Sequence, residues 1–294
     1  MEYNLDFLRG DRAGMEQLLK RPGSTVAGES WMANNEAFAS AYLGSIVQAR
    51  NLTRRAVDEA RQSGQEERAD LWKAAAAVRE ALVGNRVEAL KQVASARKLT
   101  ANREVEYGAA LAYAWSGESA QAQALADDLE KRFPEDTAVL YSYLPTLRAR
   151  VALNRGDAAM AIEALRPAIP DELGVPPSAV HALFGALYPV YERGEAYLLA
   201  GQSQPAIVEF RKILDHPGIV VVDPIGALAR LQLGRAYAMQ GDTIKAKAQY
   251  HDFLTLWKDA DPNVPILKQA QTESSKLNAL DSMANYDAGP SNNR

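Results

Sequence analysis

Tyr191-Glu192-Arg193-Gly194-Glu195-Ala196-Tyr197, with Gly201, Ala206 and Phe210 beyond it, returns as Leu231-Gln232-Leu233-Gly234-Arg235-Ala236-Tyr237, with Gly241, Ala246 and Tyr250 beyond. A small residue, a tyrosine, a second glycine, an alanine and an aromatic fall at equal offsets in both copies. This spacing predicts two helices joined by a tight turn. Glycine at the turn admits the positive φ that ends the first helix. The alanine lets the second helix lie close to the small residue of the first, and the aromatic fills the space beside it.

The same turn recurs outward from these two units, at Gly10, Gly44, Gly84, Gly117, Gly156, Gly201 and Gly241, with gaps of 34, 40, 33, 39, 45 and 40 residues. Weaker copies of the flanks accompany them. Ala110, Tyr113, Gly117, Ala122 and Pro134 hold matching phases, as do Ala149, Gly156, Ala161, Leu165 and Ala168. Ala77, Gly84, Ala89 and Val93 mark another unit, and Ala49, Thr53 and Ala56 one more. Self-similarity at this period is the signature of tetratricopeptide repeats (TPR), and the chain resembles that class. The expected fold is all-α: a right-handed α-solenoid of about seven hairpins over residues 1–280. The first hairpin is expected to be truncated, and a helix from Val264 to Leu280 to cap the apolar end. The polar, turn-rich segment 281–294 is expected to be disordered. Pro145 and Pro189 should sit in a first turn or kink their helices, and Ile219–Val222 should form an extended linker rather than a strand.

Composition narrows the function. The chain has 294 residues, 47% of them apolar, enough for a substantial core. Its 33 basic and 37 acidic residues leave a net charge of −4 with no basic stretch, which disfavours nucleic-acid binding. The absence of cysteine rules out disulfides and thiolate chemistry. Met1–Asp6 has neither a basic nor an apolar region, so no signal peptide is expected, and no run is long enough to span a bilayer.

A more particular resemblance lies in the second half. Pro189-Val190-Tyr191-Glu192-Arg193-Gly194-Glu195-Ala196-Tyr197-Leu198 is one piece; Glu209-Phe210-Arg211-Lys212-Ile213-Leu214-Asp215-His216-Pro217-Gly218, running on through Pro224-Ile225-Gly226-Ala227, is another. A third is Asp252–Pro262 with Ile266-Leu267-Lys268. These resemble the C-terminal TPR region of bacterial eukaryotic-like serine/threonine protein kinases and of related winged-helix regulators. A looser match extends through Arg132-Phe133-Pro134 and Tyr143-Leu144-Pro145-Thr146. The sequence contains no glycine-rich phosphate loop, no His-Arg-Asp and no Asp-Phe-Gly, so no kinase residue carries over. The resemblance implies an interaction or sensor region of a signalling protein, in a parent anchored to a membrane with this region beyond it.

Catalytic and metal chemistry find little support. His181, His216 and His251 show no converging partners, and His216 reads as a helix end whose imidazole bonds a free carbonyl. Trp31, Trp72, Trp115 and Trp257 read mainly as packing residues, with Trp115 nearest the inner edge. Aligning Ala110, Ala149, Gly194 and Gly234 places Tyr107, Tyr143, Thr146, Arg150, Tyr188, Tyr191, Glu195 and Arg235 on the concave face. Tyrosines mixed with arginines suit capture of a protein or peptide without a cofactor, although Tyr188 and Tyr191 could equally pack between repeats. Self-association is the second reading, and a small-molecule sensor near the Asp215–Asp223 loop the third.

Overall fold

The computed structural model describes residues 2–20, 26–96, 102–174 and 187–287, and within them every regular element is helical. Helices α1 (Glu2–Arg9) and α2 (Arg12–Lys20) open the chain, followed by α3 (Val26–Tyr42), α4 (Ile46–Gln62), α5 (Glu66–Leu82) and α6 (Arg86–Ala96). Next come α7 (Arg103–Trp115), α8 (Ser119–Arg132), α9 (Leu144–Asn154) and α10 (Ala158–Ala164). The last set is α11 (Tyr188–Leu199), α12 (Ser203–Asp215), α13 (Pro217–Val220), α14 (Ile225–Gln240), α15 (Thr243–Leu256) and α16 (Pro265–Asp287). From α3 onward these helices pack against their neighbours in chain order, and α5, α7, α9, α11 and α14 also meet successively. The main apolar core runs from Tyr3 to Ala270.

One turn geometry makes the hairpins. Gly44, Gly84, Gly117, Gly156, Gly201 and Gly241 all have φ between 76 and 87° or close to it, at 71° for Gly201. At Gly201 the glycine N–H donates to Leu198 and the following N–H to Tyr197; at Gly241 the acceptors are Ala238 and Tyr237. This pair of bonds satisfies two carbonyls that a helix end leaves open. Gly10 closes α1 in the same way. An eighth turn, at Gly64, was not expected; it joins α4 to α5, between hairpins rather than within one. Side-chain oxygens of Asn102, Asp157 and Asp242 cap the starts of α7, α10 and α15.

The small residues sit where the helices cross. A Cβ on Gly194 would lie 2.6 Å from the Phe210 ring, and one on Gly234 would lie 3.1 Å from Tyr250. Both prolines fall at the starts of their α-helices, Pro145 in α9 and Pro189 in α11; at Pro189 the missing N–H has no intrahelical partner to lose, whereas the residues just ahead of Pro145 are already helical. A π-helical turn, Val139–Tyr143, leads into α9 and widens the backbone ahead of Pro145.

Two local expectations fail. Ile219–Val222 is not extended: Pro217 starts the short helix α13, and the chain then turns at Val221 with φ 51°, a strained value for a β-branched residue. The polar tail does not begin at Asp281 either. Residues 281–287 continue α16, and 288–294 lie outside the described residues.

The end of the chain also returns to its beginning. The Trp257 indole N–H donates to the Tyr42 carbonyl at 2.9 Å, and Asp261 N–H to the Gly44 carbonyl at 3.1 Å. In return Val47 N–H donates to Asp261 Oδ2 at 2.7 Å. Further along, Ile266 N–H reaches the Val83 carbonyl at 3.3 Å, and Arg230 donates to the Tyr42 hydroxyl at 3.1 Å. The segment between α15 and α16 thus rests on the turns of the α3–α4 and α5–α6 hairpins.

Candidate functional site

Helices α7, α9, α11 and α14, with the π-helical turn that ends at Tyr143, carry the eight residues that the repeat alignment places on the concave face. The structure brings them together but encloses most of them. Tyr107, Tyr143, Thr146, Tyr188 and Tyr191 are buried. The side chains of Arg150, Glu195 and Arg235 keep 14, 21 and 24% of their exposure, so these three alone among the eight reach solvent.

The buried tyrosines pack as much as they bond. Tyr107 and Tyr143 stack with ring centroids 3.7 Å apart and planes within 6°. Tyr143 donates to Glu104 at 2.5 Å. Tyr188 takes the Trp115 ring edge-on at 5.2 Å, so Trp115 packs against a residue of the candidate site. Burial raises the phenols of Tyr107 and Tyr191 above their usual range, which keeps both neutral at ordinary pH.

A polar ladder crosses from helix to helix. Arg150 on α9 bonds Glu192 on α11 at 3.0 Å through Nε and pairs with Glu195 through Nη2. Glu195 accepts from Gln232 on α14 at 2.6 Å, and the same Gln232 amide donates to the Tyr191 hydroxyl at 3.0 Å. Arg235 reaches Gln232 Oε1 at 3.3 Å and forks onto Glu273 of α16 at 2.9 and 2.8 Å. Tyr250 completes the run by donating to Glu273 at 2.8 Å. Arg150, Glu195 and Arg235 occupy one repeat position, so consecutive units present charges of alternating sign. Glu192 and Gln232 occupy another. Neither Glu192, Gln232 nor Glu273 was expected at the site, although the equal offsets of Glu192 and Gln232 in the two clearest units carried that signal.

Burial makes two carboxylates costly. Glu192 is fully enclosed, and loss of water raises its pKa, while Arg150 and the Trp115 indole pull it back. Asp223, enclosed beneath the start of α14, accepts from Tyr188 at 2.9 Å and from the Ile225 N–H at 3.0 Å. Burial still lifts its pKa from 3.8 to about 6, against the opposing pull of those bonds and of Arg79. A carboxyl whose folded pKa lies above its unfolded value adds no penalty below the unfolded value. Stability is lost as pH climbs from there through the folded value, and an upward shift of about two units corresponds to roughly 3 kcal/mol at neutral pH.

The two described histidines do not assemble a site. His216 Nδ1 sits 2.7 Å from the Lys212 carbonyl at the end of α12, the role its position suggested. His251 is exposed beside Thr255, and His181 lies outside the described residues. Among the described residues no three His, Asp or Glu side chains converge as metal ligands, and no helix is long and apolar enough to cross a membrane. A cavity of about 780 Å³ separates α1–α3 from α12–α14, lined in part by Tyr3, Phe7, Tyr42, Val220, Val221 and Arg230. No protein-family model matches this sequence, and no curated protein matches it.

Proposed function

We propose that the chain is a non-catalytic binding module, a right-handed α-solenoid of TPR-like hairpins that captures a protein or peptide along its ladder. The observation that carries the reading is the repeat position shared by Arg150, Glu195 and Arg235. It supplies one partly exposed charged group on each of α9, α11 and α14, in register, over a floor of buried tyrosines. A polypeptide laid across them can exchange its own charged side chains for the intramolecular partners, while the floor holds the donors in place. Burial of the five other candidates supports a role for them in that floor rather than in direct contact. In this reading the module is the interaction region of a signalling protein, as the resemblance to the kinase-associated TPR regions implies.

The test is capture from the native host with the wild-type chain and with the Glu195→Gln, Arg235→Gln double variant, quantified by mass spectrometry. Retained helicity with at least a tenfold loss of a specific partner supports the reading; equal capture of every partner rejects it. A second reading, a small-molecule sensor at the Asp215–Asp223 loop, is favoured by the 780 Å³ cavity that Pro217, Val220 and Val221 of that loop help to line. Its size suits a metabolite-sized ligand. A thermal-shift screen in which Val221→Gly abolishes any hit distinguishes this reading from the first.

A further inference from the structure

We propose that the cavity between α4, α5 and α6 binds a compact oxyanion, the phosphate or carboxylate group of a small metabolite. The site is separate from the ladder and does not depend on the partner-binding reading. Its volume is about 220 Å³, less than a drug-sized ligand fills.

The lining is cationic in a chain that is acidic overall. Arg50, Arg54, Arg61, Lys73 and Arg79 face Asp58 and Glu80, five positive groups against two negative. Three of the five already have carboxylates: Arg50 pairs with Glu80 at 2.5 Å, Lys73 with Asp70 at 3.4 Å and Arg61 with Glu66 at 3.5 Å. Arg54 and Arg79 form no ion pair among the described residues. Arg54, exposed on α4, donates only to the Asn51 amide oxygen.

Arg79 is the more telling of the two. It is 3% exposed, with its guanidinium 4.3 Å from the Phe38 ring and Nη2 donating to Thr53 at 2.8 Å. Its Nη1 is buried with no hydrogen-bond partner. Burial pushes its pKa down to about 10, and the fields of Glu80, Tyr188 and Asp223 only partly offset that. A buried guanidinium donor such as this Nη1 is unfavourable, because it has lost water and gained no acceptor. An oxyanion in the adjoining cavity, which Arg79 lines, supplies the missing acceptor, and a planar fork suits either a phosphate or a carboxylate. Arg54 at the rim then provides the second cation, and Asp58 limits how much negative charge the site accepts.

Calorimetry and thermal shift on the full chain test this with sodium phosphate and sodium malonate, against sodium chloride at equal ionic strength. Saturable one-to-one binding of at least one oxyanion is expected, with a raised melting temperature. Phosphate alone, or malonate alone, identifies which group the site prefers. Arg54→Gln should weaken that binding about tenfold and Arg79→Gln should abolish it. Should Arg79→Gln fail to fold, Arg54→Gln decides the matter, since its side chain lies at the surface. No binding beyond chloride overturns the proposal, and so does binding that neither variant weakens.

Discussion

Two substitutions with identical chemistry, Gly194→Ala and Gly234→Ala, should differ in outcome, the first destabilising and the second nearly neutral. Each adds one methyl at the same repeat position, and each gains about 1 kcal/mol of helix propensity. At Gly194 the new Cβ would stand 2.6 Å from Cε1 and Cζ of Phe210, a fully buried ring. Ordinary carbon contacts are about 3.5–4.0 Å, so α11 and α12 must separate by roughly 1 Å. Overpacking costs about 1–3 kcal/mol, and a contact this short takes the upper part of that range, about 2–3 kcal/mol, for a net loss near 1–2 kcal/mol. At Gly234 the nearest ring atoms, Cδ2 and Cε2 of Tyr250, lie 3.1 and 3.2 Å away, and a shift of a few tenths of an ångström relieves the contact. That cost roughly cancels the propensity gain. The expected gap between the two variants is therefore about 1.5 kcal/mol, or several degrees in melting temperature for a chain of this size. Circular dichroism at 222 nm, followed through heat and urea unfolding, reads it directly. Adding Phe210→Leu to Gly194→Ala should recover part of the loss. If Gly194→Ala proves as stable as Gly234→Ala, the account of why these positions are glycine is wrong.

Asp223→Asn should stabilise the chain relative to wild type increasingly as pH rises from about 4 to 7, the gap growing by about 2 kcal/mol, because the amide cannot ionise. Parallel urea titrations across that range check it, and a pH-independent gap refutes the burial argument. Arg150→Ala should lose about 3–5 kcal/mol by stranding the enclosed Glu192 carboxylate, and Arg150→Ala with Glu192→Gln should lose less; equal losses in the two would show that the charge is not the cause. Gly44→Ala should be clearly worse than Gly156→Ala in thermal unfolding. Both have positive φ, but only at Gly44 would the Cβ meet Ala260 at 2.5 Å and Trp257 at 2.8 Å.

What the sequence revealed was local. The glycine turns, the paired helices and the Gly194–Phe210 and Gly234–Tyr250 contacts follow from offsets within a single unit. Ser63-Gly64-Gln65 has the same character, twenty residues after Gly44, but it falls between hairpins and so outside a search keyed to the full repeat period. Ile219–Val222 looked extended because β-branching favours strands; Pro217 and the packing of α13 between α12 and α14 override that preference. At the site, the phases that gather Tyr107, Tyr143, Tyr188 and Tyr191 were legible, whereas their enclosure was not. Enclosure depends on neighbouring helices and on α16 supplying Glu273, which lies 38 residues beyond its partner Arg235. Asp223 offered no signal beyond an acid in a loop; only the approach of Tyr188, 35 residues earlier, explains why it is buried.

The contacts between Trp257, Asp261 and the Tyr42–Val47 turn link positions more than 210 residues apart. An array that touches only its neighbours can nucleate anywhere and zip, and its ends fray independently. Here the final latch must wait until most of the intervening chain is in place, since joining such distant points early is entropically unfavourable. Folding should therefore end in a slow step that ordinary helical arrays lack. Once that step is complete, exchange of the Val47 and Asp261 amides reports opening of the whole molecule rather than melting of one terminus.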